Sequence, residues 1–332
     1  EKKKYLMLFI NSPSHYAPFN IACEEYILNN FPEDVFLLYR NDASIIVGRH
    51  QNTLAEINLD YVKEHNIPVV RRLTGGGTVF HDLGNLNYCF LMNRTGDEDR
   101  GFAKYTAPIL AALKDLGIEA KLEGRNDLTI KGMKFSGNAR AVYPNKIHQH
   151  GTILFSSKIT DLSAALKANP LKFKDKAVHS VAARVTNISE HLTKPISLEE
   201  FIQLIQKEVL KLYPDAREYH LTEDDEKGIN TLMKSKYETW EWNFGHSPAY
   251  NHKQSIRCSA GTIEFHIDVH KGKITGLRIY GDFFGERDPS ELESALTGLP
   301  HRSEELRKAL ESLPLNEFFG EVTIEDILAG LI

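Results

Sequence analysis

The chain has 332 residues, 45 acidic against 40 basic for a formal charge of −5, and is 42% hydrophobic. That balance belongs to a globular chain; the mild acidity excludes a generic pull toward nucleic acid or an anionic membrane surface. No apolar run reaches the roughly 20 residues of a membrane-spanning helix. Three widely spaced cysteines, Cys23, Cys89 and Cys258, fit a reducing cytoplasm rather than a disulfide framework.

The opening stretch EKKKYLMLFINSPSH joins a basic head to an apolar segment. That segment, 5–10, is short, and Asn11, Ser12 and Pro13 follow at once, so it reads as a first strand and not as a signal peptide. Residues 18–31 have the spacing of an amphipathic helix, with Asn20 as its cap. VFLLYR and SIIVGR read as two strands joined by a turn at Asn41 and Asp42. A helix near 58–65 ends before Pro68, and the strand VVRRL runs straight into three glycines. NYCFLMN is another strand, and 103–116 a helix stopped by Gly117. EAKLE, DLTIK and KFSGNARAVY read as successive strands with a hairpin at Lys131 and Gly132, and HQHGTILF continues that sheet. Helices fit near 161–167 and 198–212.

The aromatic, glycine- and proline-bearing stretch WEWNFGHSPAYNHK has the composition of a docked linker. Beyond it, Ile263, Phe265, Ile267 and Val269 alternate with Thr262, Glu264, His266 and Asp268, as in a half-buried hairpin turning at 271–273. Two short helices close the chain. The expected organisation is a first domain over 1–246, a linker over 247–253 and a small second domain over 254–332. Mixed strands, many hairpins and segregated helices argue α+β rather than a doubly wound parallel sheet.

Three stretches carry candidate chemistry. In RRLTGGGTVFHDLGN the glycines let a ligand approach bare main chain, and successive N–H groups can cradle an anion. Arg71 and Arg72 alternate, so one of them faces the glycines. The alternative is a tight turn flanked by solvated arginines. Neither G-x-x-x-x-G-K-[ST] nor G-x-G-x-x-G spacing is present. In GRNDLTIKGMKFSGNA, Asp127 and Lys134 sit on neighbouring strands. A lysine between a carboxylate and an α-phosphate offsets their repulsion; a surface salt bridge is the alternative, and the stronger one from that hairpin alone. In HQHGTILF, His148 and His150 share a strand face with no third metal ligand in view, which favours hydrogen-bonded histidines over a metal site; the same holds for His266 and His270. Cys23 and Cys89 read as small buried hydrophobes.

Together RRLTGGGTVFHDLGN, GRNDLTIKGMKFSGNA, HQHGTILF, RVTN at 184–187 and WEWNFG at 240–245 resemble the lipoate–protein ligases, relatives of the biotin ligases. The resemblance spans most of 5–250 and implies a mixed-sheet catalytic domain followed by a small α+β accessory domain. It implies two steps: lipoate and MgATP give lipoyl-AMP and pyrophosphate, and a lysine of a lipoyl domain then takes the acyl group. The implied acceptors are lipoyl domains of 2-oxoacid dehydrogenase complexes and the glycine cleavage H protein; no nucleic acid or membrane is involved.

By motif position, Arg72 and the loop Gly75, Gly76, Gly77, Thr78, Val79 and Phe80 line the acyl-adenylate. Lys134 contacts both the acyl carbonyl oxygen and the α-phosphate. Asn85 and Asp127 sit near phosphate, with Asp127 toward Mg²⁺, and His81 and His150 border the lipoate pocket. HQH departs from the adjacent histidines of some relatives, and Thr78 stands where alanine is common. Two other outcomes of the same fold are an ATP-independent octanoyl or lipoyl transferase working through a cysteine or directly from a carrier, and a non-catalytic lipoate-binding partner.

Overall fold

The computed structural model describes residues 5–51, 53–95, 101–124, 126–166, 185–247, 249–281, 283 and 285–332, in two compact units, Glu1–Thr239 and Trp240–Ile332. Arg125 and Arg184, from two of the motifs above, lie outside the described residues, as does Lys167 at the end of the helix expected near 161–167.

In chain order the first unit runs β1 (Met7–Asn11), α1 (Ala17–Asn30), β2 (Asp34–Arg40), β3 (Ser44–Val47), α2 (Thr53–Glu56), α3 (Leu59–Glu64), β4 (Val69–Arg71), β5 (Val79–His81) and β6 (Asn85–Asn93). Then come α4 (Ala103–Asp115), β7 (Ala120–Glu123), β8 (Asp127–Ile130), β9 (Met133–Val142), β10 (Lys146–Leu154), α5 (Ile159–Ala165), α6 (Leu198–Leu212), β11 (Arg217–Glu218) and α7 (Glu223–Leu232). Eight strands form one mixed sheet in the order β11-β1-β2-β6-β10-β9-β8-β7, parallel where β1 meets β2 and β11 and antiparallel elsewhere. A second sheet has the order β4-β3-β5.

The central strand β6 is buried from Asn85 to Met92, because helices cover both faces of the large sheet. On one face Phe36, Tyr88 and Phe90 pack against Tyr105 and Ile109 of α4 and Phe201 and Ile205 of α6. α1 lies against β2, β4 and β6 and beside α7. Glycine ends α4 as expected, with Gly117 at φ 74°.

VFLLYR and SIIVGR are strands joined at Asn41–Asp42 as expected, and that corner passes the chain from one sheet to the other. One expectation changes. Asn20 is not a cap: α1 begins at Ala17 with Pro18 in its first turn, and Asn20 is fully buried inside the helix. β5 emerges as a strand of its own, Phe80 opposite Ile45.

The second unit is an antiparallel sheet, β12 (Tyr250–Cys258), β13 (Gly261–His270) and β14 (Lys273–Gly281), with helices α8 (Ser290–Leu296), α9 (Ser303–Glu311), α10 (Leu315–Phe319) and α11 (Ile324–Leu331). Ile263, Phe265, Ile267 and Val269 point into a core with Leu292, Leu306, Phe318 and Ile327, as their alternation requires. Lys271 and Gly272, at φ 52° and 72°, form the turn. Two corrections apply. Residues 250–253 were expected in a linker but pair with 266–269 in β12. Among the described residues four short α-helices, not two, follow the sheet, interrupted at Gly298, Pro314 and Gly320.

Candidate active site

The glycine loop is folded around an arginine. Arg71 and Arg72 point to opposite sides of β4, and neither is solvated: they are 0% and 5% exposed. Arg71 donates to the carbonyls of Gly48, Arg49 and Gln51 and to Thr53 Oγ1, pinning the segment after β3. Arg72 faces the glycines. Its Nε donates to Thr74 Oγ1 at 3.0 Å, its Nη1 to the Ile46 carbonyl, and its Nη2 to the carbonyls of Gly75 and Gly77 at 2.7 and 2.9 Å. Burial pulls both guanidinium groups down to about 10, which leaves them charged at neutral pH. Arg72 therefore shapes the cradle through main-chain carbonyls, and the residue forms part of the cavity wall.

Two glycines make the loop possible. Gly76 has φ 93°, a left-handed conformation that disfavours a side chain. Gly48 is needed for close approach: a Cβ there would lie 2.0 Å from the Gly76 carbonyl oxygen. Only the folded contact reveals Gly48, since it is remote in sequence from the loop it supports.

Across the cavity, the β8–β9 hairpin turns at Lys131 and Gly132, at φ 50° and 78°. Thr129 pairs with Lys134 and Leu128 with Ser136, so Phe135 is the extra residue of a bulge. Lys134 Nζ reaches Asp127 Oδ1 at 2.7 Å, with both side chains about 40% exposed (40% and 39%). It does so by lying over Gly137, where a Cβ would sit 2.9 Å from Nζ and 3.0 Å from Cε. The Lys134 carbonyl accepts from the Thr186 N–H at 2.9 Å, which ties the TN of RVTN to the same hairpin.

Between loop and hairpin is a cavity of about 320 Å³. Of the residues singled out by motif, Arg72, Gly76, Gly77, Thr78, Val79, His81, Asp127, Lys134 and His150 line it. Gly75, Phe80 and Asn85 do not: Gly75 offers its carbonyl to Arg72, Phe80 is buried against β3, and Asn85 donates from Nδ2 to Asn87 Oδ1 at 2.9 Å. Ile21, Tyr39 and Ile46 add an apolar wall, and Asn87 and Asn138 add amides; the sequence reading missed these because each lies on an element whose own pattern is simply buried.

Under the cavity, Glu24 of α1 is 1% exposed and faces β10. Its carboxylate accepts from His148 Nε2 at 3.0 Å, from His150 Nδ1 at 2.9 Å and from the Tyr39 hydroxyl at 2.9 Å. His150 Nε2 in turn accepts from Thr74 Oγ1 at 2.6 Å, which links this network to the glycine loop. Burial alone would raise the Glu24 carboxyl; the two histidines outweigh it and hold the group below the usual carboxylate range. Burial lowers His150, so its ring acts as a neutral donor to an ionised carboxylate. Glu24 is thus the third partner that the sequence lacked for His148 and His150. With Cys89 these residues bring four potential ligand atoms within 4.8 Å of one another. The carboxylate's hydrogen bonds already account for them as a satisfied network, leaving His148 Nδ1 as the one ring nitrogen of the pair without a partner.

The thiols of Cys23 and Cys89 are fully buried, and burial pushes both far above the ordinary thiol value. Cys258 belongs to the other unit.

Residues 16–210 match the lipoyl protein ligase A/B catalytic domain, and 247–331 match the bacterial lipoate protein ligase C-terminus. The chain belongs to the lipoate–protein ligase family. A lipoate–protein ligase 1 of Staphylococcus aureus is 42% identical, over 97% of this chain and 99% of that protein. Among solved structures, a bi-partite lipoate protein ligase studied with its E2 lipoyl domain from Thermoplasma acidophilum is similar over 73% of this chain and 97% of its own, with a TM-score of 0.64 and 30% identity. A lipoate–protein ligase A bound with ATP is similar over 74% of this chain and 100% of its own, with a TM-score of 0.62 and 27% identity. No helix among the described residues is long and apolar enough to cross a membrane.

Proposed function

We propose that the cavity between the glycine loop and the β8–β9 hairpin joins lipoate to the α-phosphate of ATP and passes the acyl group to a lysine of a lipoyl domain. The observation that carries this reading is the half-exposed Lys134 ammonium, held over Gly137 at the mouth of a cavity whose opposite wall is bare main chain. In the first step a carboxylate oxygen of lipoate attacks the α-phosphorus; the bond to the β-phosphate breaks and pyrophosphate leaves. The two reactants are both anions, and Lys134 between them offsets their repulsion and stabilises charge on the transferring phosphorus. Gly76, Gly77 and Thr78 offer main-chain N–H groups to the phosphate. In the second step the acceptor amine attacks the acyl carbonyl, AMP leaves, and the amine loses a proton.

Magnesium fits this site. Asp127 supplies a hard carboxylate oxygen at the mouth, and Mg²⁺ takes one or two carboxylates plus nucleotide phosphate oxygens. Bound there, it would neutralise phosphate charge. The acyl tail runs along Ile21, Tyr39 and Ile46, where the dithiolane needs no polar partner, so octanoate is accepted too, though less well. The first unit acts as the catalytic domain and the second, β12 included, as an accessory domain; acceptors include the glycine cleavage H protein as well as 2-oxoacid dehydrogenase lipoyl domains, and the reaction takes place in the cytoplasm. The buried, poorly ionisable Cys23 and Cys89 speak against a thioester relay within the catalytic unit.

The test is incubation with lipoate, ATP, Mg²⁺ and an apo lipoyl domain, read by intact mass. Addition of one lipoyl group that requires ATP supports the reading. Transfer from an octanoylated carrier without ATP would replace it with a transferase, and lipoate binding without pyrophosphate release would replace it with a binding partner.

A further inference from the structure

The main-chain carbonyls from Thr74 to Gly77 are all turned to the protein. That of Thr74 accepts from the Arg49 N–H at 2.9 Å, and those of Gly75 and Gly77 accept from Arg72 Nη2. That of Gly76 lies against Gly48, where a Cβ would be 2.0 Å from the oxygen. A trans peptide sets its N–H opposite its carbonyl. The N–H groups of Gly76 and Thr78, in the peptides that follow Gly75 and Gly77, therefore point away from Arg72. Among the described residues neither they nor the Gly77 N–H meets an acceptor. Such a cradle holds an anion tightly when its shape is set before the anion arrives.

Arg72 and Gly48 set the middle of the loop, and one further contact holds its end. Gln51 Oε1 is 2.9 Å from the Gly48 nitrogen and 2.9 Å from Thr78 Oγ1. A main-chain N–H only donates, so the side-chain atom facing Gly48 is the oxygen and the amide cannot be turned round. The Thr78 hydroxyl is then the donor to that same oxygen, and its single hydrogen is committed to Gln51 rather than to a bound phosphate. Gln51 is itself anchored. Its N–H donates to the Gly48 carbonyl at 3.1 Å, and its carbonyl accepts from Arg71 Nη1 at 2.7 Å.

We propose that Gln51 is a positioning residue for nucleotide binding: its carboxamide latches the Thr78 hydroxyl and so keeps the N–H groups of Gly76, Gly77 and Thr78 set for a phosphate. Gln51 acts through Thr78 and not by touching substrate. The proposal rests on the ligase reading for the nucleotide and on geometry alone for the latch. It divides the work of the two neighbouring arginines: Arg72 grips the middle of the loop directly, and Arg71 steadies its end through Gln51. It also gives the threonine a use that alanine, common at this position, does not have.

The experiment measures equilibrium ATP binding and amide hydrogen exchange at Gly48 and Arg49 in the full-length chain. The proteins compared are the wild type, Thr78→Val, Thr78→Ser, Gln51→Met and the Gln51→Met, Thr78→Val double variant. Valine keeps the shape of threonine and removes the donor. Thr78→Val should raise the Kd for ATP about fivefold, one hydrogen bond's worth, and speed both exchanges by a similar factor, with a melting temperature near the wild type. Thr78→Ser keeps the hydroxyl and should bring the exchange rates back. In the Gln51→Met background Thr78→Val should add nothing, since its partner is already gone. An equal loss of ATP affinity in both backgrounds would overturn the proposal, because the hydroxyl would then act on the nucleotide itself. So would unchanged ATP affinity or unchanged exchange in Thr78→Val. Should Gln51→Met not fold, the exchange rates of the valine and serine variants decide alone. Absence of ATP binding or of pyrophosphate release in the wild type would instead remove the ligase reading, and the exchange rates would still decide the latch.

Discussion

Two carboxylates beside one cavity meet their cationic or imidazole partners in opposite ways. Glu24 is sealed beneath it, 1% exposed, with both oxygens accepting from His148, His150 and Tyr39. Asp127 is at the mouth, 39% exposed, with Lys134 Nζ at 2.7 Å. A satisfied buried network fixes shape and is costly to disturb. A half-exposed pair contributes little to stability, which leaves the lysine available to a bound anion. The difference separates the scaffold of the site from its working charge, and four experiments press on it.

The largest effect is expected from Lys134→Ala, which should lower adenylate formation on the order of a thousandfold. Its melting temperature should stay close to the wild type, because an exposed pair is lost; pyrophosphate release and thermal unfolding check the two halves. Glu24→Ala should show the reverse weighting. It strands the His148, His150 and Tyr39 donors and should cost about 3 kcal/mol in urea unfolding. A stable Glu24→Ala protein, or an unfolded Lys134→Ala protein, would break the contrast.

The third experiment uses pH. His81 is neutral when folded, with its pKa pulled to about 3 by burial, Arg72 and His150. The unfolded chain binds a proton there below pH of about 6.5. Its contribution to stability is therefore complete above that pH and is lost as pH falls toward 3. Between pH 6.5 and 4.5 the wild type should lose roughly 2 kcal/mol that His81→Gln does not lose; parallel pH–stability curves would contradict the assignment. The smallest effect is expected from Gly137→Ala. The new Cβ displaces the far end of a flexible side chain, 2.9 Å away, rather than main chain. Adenylation should fall about tenfold, with a KM for the acceptor domain unchanged and little change in melting temperature. Unaltered adenylation would show that Lys134 does not depend on the space above Gly137.

Legibility in the sequence follows the range of the interaction. The β7–β10 strands, the 131–132 hairpin and the alternation of β13 depend on neighbours in sequence, and each is readable there. Asp127 and Lys134 were visible as neighbours for the same reason. Glu24 was not: α1 is buried on several sides, so its carboxylate looks like the polar face of an amphipathic helix until β10 is placed against it. Asn20 resembles a cap from its position near the helix start, yet it serves the Asn41 corner. The first four residues of β12, 250–253, read as linker because the stretch leading into them is crowded with aromatics, a glycine and a proline. Gly48 and Gly137 gain meaning only from atoms of remote or facing residues that occupy the space of a missing Cβ. The arginines illustrate both cases: alternation showed that one faces the glycines, but only the fold shows that both bind main chain.

The most direct test is a crystal structure of the complete chain with lipoyl-AMP. The account requires Lys134 Nζ to have left Asp127 alone and to lie within hydrogen-bond distance of both the acyl carbonyl oxygen and the α-phosphate. An adenylate held in the cavity with Nζ still turned to Asp127, touching neither oxygen, would contradict it.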